Sequence, residues 1–240
     1  MTLKSLKLIF MGTPDFAVPS LIALHQSHHR ILRIITQPDR PKGRGRRMTV
    51  SPVKKAAVQL GYDVAQPASA RGDEFIATCF DPDPDLLVVV AYGNILPAAA
   101  VSRLALGAVN VHASLLPHYR GAAPIQWAII NGDSHTGITT MRMDAGMDTG
   151  DILLADRTSI RPDDTAATLR DRLAGMGAEL LVHTLDRLAT GDIEAIPQDD
   201  SQATYAPLLK KKDGEIDWHR SATAIECLIR GMTPWPGAYT

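Results

Sequence analysis

An α/β domain with a mostly parallel sheet and helices on both faces is what this sequence predicts. Three observations lead there. Short apolar runs alternate with amphipathic stretches along most of the 240 residues. One run, "PDLLVVVAY" at 84–92, is apolar on both alternating faces, as a central parallel strand is. The composition, 45% hydrophobic and 21% charged with formal net charge -1, describes a globular chain with room for a core.

The elements follow in order. "LKLIFMG" (6–12) is a short apolar run closed by glycine and reads as a buried strand. "TPDFAVPSLIALHQ" has helical spacing, with an opening expected near Thr13–Pro14. "ILRIITQ" (31–37) is a β-branched second strand, followed by a basic loop. "SPVKKAAVQLG" (51–61) is a helix that Ser51 can cap, with Pro52 in the first turn and Gly61 at the end. A short strand "YDVAQP" and a helix "GDEFIATCF" precede the central strand. "PAAAVSRLA" is expected to be helical, "GAVNVHAS" (107–114) a strand, and "GAAPIQWAIINGD" a helix. "HTGITTMRMD" alternates as a strand facing solvent on one side does, and "DILLADRTSI" is one more strand. "DTAATLRDRLAGMGAELLVHTLDRLATGD" is a long helix with an interruption expected near Gly175–Gly177.

Several function classes are excluded. Overall neutrality does not suit a protein that coats nucleic acid, although a local basic patch does suit contact with one nucleic acid. The first turn is "MGTPDF" rather than GxGxxG, so a dinucleotide is not indicated. Cys79 and Cys227 are far apart and outside metal-ligand spacing, as reduced thiols would be. "MTLKSLKLIFMG" lacks the pattern of a signal peptide, and no apolar run approaches the roughly 20 residues of a membrane span. A cytoplasmic protein is expected. "HQSHH" (His25, His28, His29) has no carboxylate or cysteine near it in sequence and reads as a surface cluster, so no metal is expected.

Three stretches carry the chemistry. "QPDRPKGRGRR" (37–47) holds five cations, Arg40, Lys42, Arg44, Arg46 and Arg47, and fits either a solvated linker or a docking arm for a polyanion. "NVHASLLPHYRGAAPIQW" (110–127) places Asn110 and His112 two apart, on one face of a strand, toward its carboxyl end. In sheets of this class ligands bind outside the carboxyl ends of the strands. "MDAGMDTGD" (143–151) holds Asp144, Asp148 and Asp151 in a loop between strands; Gly146 at a ligand position rules out an EF-hand. A carboxylate from this loop beside His112 would orient its ring.

These stretches, with "GTPDFAVPSL", "SPVKKAA", "VVVAYGNILP" and "PWPGAYT", resemble the methionyl-tRNA formyltransferase family in order and spacing. Asn94 in "YGNILP" departs from the expected pattern, with no consequence attached. The resemblance implies a Rossmann-like formyltransferase fold over 1–192, a polar linker at 193–213, and the start of a truncated OB-like β-barrel at 214–240. It implies catalytic roles for Asn110, His112 and Asp148, with 10-formyltetrahydrofolate as donor. The folate is expected against Ser114, Leu115, Leu116 and Pro117, against backbone near Gly93, Ile95 and Leu96, and along Asp144–Asp148. The basic segment, Arg44 above all, is expected to meet the acceptor stem of initiator methionyl-tRNA; the Lys210–Lys212 run is expected to line a solvated linker, in a region the resemblance places toward the same partner. Phe16 is a candidate for the methionyl pocket or equally an ordinary core residue, Trp127 for the core behind the site, and Trp218 and Trp235 for the second domain. A monomer is expected.

The main alternative is an N-formyltransferase for an amino sugar or another small amine. It would share the N-x-H and Asp core but would not need the Gly-rich basic segment. A formylfolate hydrolase and a non-catalytic RNA-binding module are further alternatives.

Overall fold

The computed structural model describes residues 4–42, 47–81, 83–101 and 103–240. The chain begins with β1 (Lys7–Gly12), a 3-10 turn at Asp15–Ala17, α1 (Val18–Gln26) and β2 (Arg30–Ile35). Then come β3 (Arg40–Lys42), β4 (Arg47–Thr49), α2 (Pro52–Gln59), β5 (Val64–Ala65), α3 (Gly72–Phe80) and β6 (Leu86–Val90). α4 (Ala98–Val101), β7 (Ala108–His112), β8 (Arg120–Gly121), α5 (Pro124–Ile130), β9 (His135–Arg142) and β10 (Ile152–Ser159) complete the sheet region. α6 (Ala166–Thr190), β11 (Tyr205–Ala206) and α7 (Ala222–Met232) close the chain.

Seven strands form the main sheet in the order β10-β9-β7-β6-β1-β2-β5. β5, β2, β1, β6 and β7 run parallel, whereas β9 and β10 are antiparallel. Every residue of β6 is buried, as its two-sided apolar pattern requires. Helices cover both faces. Leu21, Val53, Ile129, Leu173 and Leu181 pack on one face with Phe10, Val88, Val109 and Val111. Phe75 and Ala100 pack on the other with Ile9, Met11, Leu87, Val89 and Ala108.

The structure sharpens or corrects several expectations. Ser51 caps α2 by accepting from the Lys54 N–H at 3.0 Å, as its place before Pro52 predicts. The expected break in the long helix is absent: α6 runs 25 residues, capped reciprocally by Thr165 and Thr168. Gly177 does not break it because its bare Cα lets the helix close on the sheet; a Cβ there would lie 3.0 Å from Val111 Cγ1. β9 does not alternate, since six consecutive residues are buried between β7, β10 and α6. α4 is shorter than "PAAAVSRLA" suggested, because one turn suffices to bury Ala100 before the chain bends back to β7.

Residues 193–213 read as a linker, but they lie against the sheet domain. Ile196 bridges Ile152 through two backbone bonds of 2.8 Å, and β11 pairs parallel with β8. α7 then packs on α5 through Leu228, Met232, Ala123 and Ile130, with Leu209 and the half-buried Trp127 beside them. Trp218 and Trp235 are exposed.

Candidate active site

Alternation along β7 sets the site. Val109 and Val111 enter the core beneath α6, and Ala108 enters the opposite core. Asn110 and His112 therefore share the face that α6 does not cover. Asn110 is half-buried and His112 is buried at the carboxyl end of the strand.

Asp148 reaches this face from the other direction. Its loop leaves β9 where Arg142 pairs with Val109, near the amino end of β7, and folds back along the strand. Asp148 Oδ2 ends 3.6 Å from His112 Nδ1 and accepts the Gly121 N–H at 2.9 Å. The Nε2 of His112 lies 3.0 Å from the Tyr119 carbonyl. A carbonyl only accepts, so Nε2 carries the proton and Nδ1 is the nitrogen free to exchange one. The His112 N–H is thus committed to the Tyr119 carbonyl.

Two residues of this group hold uncommon backbone. Tyr119 has φ 61° and Asp148 φ 55°, both in the left-handed region. A bulky Tyr there is an outlier that its surroundings must hold, and such residues cluster at functional sites. Tyr119 is held by its hydroxyl, which donates to Asp133 Oδ2 at 2.6 Å and accepts from Asn131 Nδ2 at 3.0 Å. Burial first, then Asp133, pushes its pKa up to about 12, so the phenol stays protonated at neutral pH.

The remaining expected site residues surround this centre. The buried Ser114 donates to the His118 carbonyl at 2.6 Å, and Thr139 Oγ1 joins the Ser114 carbonyl (2.7 Å) to the Leu116 N–H (3.2 Å). The Leu116–Pro117 peptide that follows is cis. Gly93, Ile95 and Leu96 form the loop after β6, where Gln37 Nε2 and Thr13 Oγ1 each hold the Tyr92 carbonyl at 3.0 Å. Leu96 is buried, but Ile95 is 85% exposed. Asp144 is turned into its own loop, accepting from the Gly146 N–H (2.9 Å) and the Thr149 hydroxyl (2.8 Å).

Sequence reasoning missed the second layer of this site. Gln198 Nε2 donates to the carbonyls of Asp148 (2.9 Å) and Gly150 (2.7 Å). Arg120, only 2% exposed, donates to Gln198 Oε1 and to Asp200. Gly121 permits the pairing that brings this segment in: its φ is +122°, and a Cβ would lie 2.7 Å from the Ala206 carbonyl oxygen. "HYRG" contains Arg120 and Gly121 without any pattern that assigns them, and Gln198 sits in a stretch rich in polar residues.

Residues 6–185 match the formyl transferase family and residues 208–240 its C-terminal domain. The methionyl-tRNA formyltransferase of Desulfotalea psychrophila is 55% identical over 98% of this chain and 73% of its own length. That of Geobacter metallireducens is 52% identical over 99% of this chain and 76% of its own. The chain belongs to the methionyl-tRNA formyltransferase family. A 4-N formyltransferase of Francisella tularensis shares the fold, with TM-score 0.75 and 17% identity over 98% of this chain and 91% of that one.

For a methionyl-tRNA formyltransferase family member, the basic segment has a defined base. Rather than a plain loop, β3 and β4 pair antiparallel, Arg40 opposite Thr49 and Lys42 opposite Arg47. Gly43, Arg44, Gly45 and Arg46, including the favoured contact residue, lie outside the described residues. Below the pair, Lys54 Nζ bonds Asp39 Oδ2 and Gln66 Oε1, each at 2.6 Å, and Gln66 Nε2 returns to the Gln37 carbonyl at 2.9 Å. Phe16 is half-buried and packs against the α6-side core.

The histidine cluster is not a surface feature throughout. His29 is buried, and His28, His29 and Asp186 place their ligand atoms within 4.8 Å of one another. The Leu6 N–H donates to His29 Nδ1 at 3.2 Å, and His29 Nε2 lies 3.1 Å from Asp186 Oδ1. With Nδ1 accepting, Nε2 holds the proton and has no lone pair to offer a metal. The cluster ties the start of β1, through Leu6, to α6 at the amino end of the strands, opposite the site.

Proposed function

We propose that this chain transfers the formyl group of 10-formyltetrahydrofolate to the α-amine of initiator methionyl-tRNA, in the cytoplasm, for translation initiation. The observation that carries the reading is Asn110 and His112 on the face of β7 that α6 does not cover, with Asp148 Oδ2 3.6 Å from His112 Nδ1.

An aminoacyl α-amine has a pKa of about 8 or somewhat lower, so a useful fraction is neutral near pH 7. Its lone pair attacks the formyl carbon, and the carbonyl electron pair moves to the formyl oxygen. Asn110 donates its amide N–H to that oxyanion. Losing one such donor typically costs about 100- to 1000-fold. His112 Nδ1 takes the proton from the attacking nitrogen. The imidazolium so formed lies between the Asp148 carboxylate and the Tyr119 carbonyl, two acceptors already in place. His112 then returns the proton to the folate nitrogen as its bond to the formyl carbon breaks. Protons balance, and no covalent enzyme intermediate forms.

The folate lies along Ser114–Pro117, the Gly93–Leu96 loop and Asp144–Asp148. The exposed Ile95 and Met147 offer apolar contact to a flat heterocycle. Arg40, Lys42, Arg44, Arg46 and Arg47 carry charge to phosphates of the acceptor stem. An amino-sugar acceptor leaves that basic hairpin without work.

The test offers methionyl-tRNA and a nucleotide-linked amino sugar in parallel, with 10-formyltetrahydrofolate as donor. Formyl-methionyl-tRNA is the expected product. Product on the amino sugar alone would replace this reading.

A further inference from the structure

We propose that Gln198 is a positioning residue for Asp148, and that the segment after α6 is therefore part of the working site. The inference rests on the reading that Asp148 acts with His112.

Four hydrogen bonds saturate the Gln198 amide. Its two N–H groups go to the carbonyls of Asp148 at 2.9 Å and Gly150 at 2.7 Å. Its Oε1 accepts from Arg120 Nε at 3.0 Å and Nη2 at 2.8 Å. A guanidinium only donates, so Arg120 fixes which end of the amide faces which partner. Arg120 is itself buried and pinned by Asp200 at 2.7 Å.

The Asp148 backbone lies in the left-handed region at φ 55°, which Asp tolerates better than most residues, and the bonds around the turn fix where its carboxylate points. Gln198 clamps the carbonyls on either side of the turn, and the Gly121 N–H fixes the carboxylate at 2.9 Å. Both anchors come through β8. Arg120 orients Gln198, and the adjacent Gly121 holds Asp148 directly. β8 is paired with β11, so the stretch between α6 and α7 sets where the Asp148 carboxylate meets His112.

Gln198→Glu keeps the size and the acceptor for Arg120 but sets an oxygen against two carbonyls. In the 240-residue chain it should lower kcat about 10- to 100-fold with the Michaelis constant for folate within about threefold. The same substitution in an Asp148→Asn background should cost much less, because residues acting as one unit are not additive. A second readout needs no turnover: the ring Cε1–H resonance of His112 should shift in Gln198→Glu in the direction it shifts in Asp148→Asn. If the wild-type chain transfers no formyl group yet this resonance moves, the positioning stands and the reaction falls. An unmoved resonance, or an equal loss in both backgrounds, overturns the positioning role.

Discussion

Asp39 and Lys54 close an ion pair, Nζ to Oδ2 at 2.6 Å, across the base of the basic hairpin. The hydrogen bond from Lys54 is the main reason the Asp39 carboxyl stays below the usual carboxylate range. The pair is partly exposed, so its value lies in orientation more than in stability. Lys54→Met should raise the Michaelis constant for methionyl-tRNA about 3- to 10-fold and leave that for folate unchanged. Equal effects on both substrates would show that the pair does not aim the hairpin.

Arg44 lies between the two glycines of the segment that β3 and β4 frame. Arg44→Ala should weaken tRNA binding and reduce the slope of log affinity against log salt by about one, the signature of one lost phosphate contact. A salt titration of tRNA binding reads this directly. An unchanged slope removes Arg44 from the contact.

Tyr119 supports His112 through its carbonyl and is itself held through its hydroxyl. Tyr119→Phe removes the bonds to Asp133 and Asn131 and should cost about 1–2 kcal/mol of stability. The sign with pH follows from the raised pKa. The protonated phenol contributes fully below the ordinary value of 10.0, and its contribution is lost as pH rises toward about 12. The stability difference between wild type and variant should therefore shrink over that range. Urea unfolding at pH 8 and pH 11 checks it.

His29 gives the opposite signal. Burial, with His28 beside it, holds its pKa below the ordinary 6.5, although Asp186 pulls it up. The unfolded chain then binds a proton that the folded chain resists. Stability is complete above about pH 6.5 and falls as pH drops below it, with a slope of up to about 1.4 kcal/mol per pH unit. Urea unfolding from pH 7.5 to 5.5 should show this slope in wild type and a smaller one in His29→Gln. Equal slopes would assign the acid sensitivity elsewhere.

The parts of the fold written in local pattern were legible. β6 shows its central place by an unbroken apolar run, and β7 shows by alternation that Asn110 and His112 share a face. Ser51 before Pro52 announces the start of α2. Asp148 was legible as a residue type in a loop, but its approach to His112 was not, because the loop enters from the amino end of β7 and folds back. Tyr119 acts on His112 through a backbone carbonyl, which every residue carries whatever its side chain. Gln198 acts across 50 residues of chain through hydrogen bonds rather than apolar burial. A polar stretch held in that way has the composition of a linker, which is why 193–213 read as one. His29 looked exposed because its partners, Leu6 and Asp186, are remote in sequence.

The most direct test of the central claim measures His112→Ala in two ways on one preparation: single-turnover formyl transfer to methionyl-tRNA, and the affinity for 10-formyltetrahydrofolate. Proton transfer of this kind is worth about 100- to 10,000-fold. The rate should fall by at least about 100-fold with folate affinity within about threefold. A rate equal to wild type would contradict that claim and take His112 out of the chemistry.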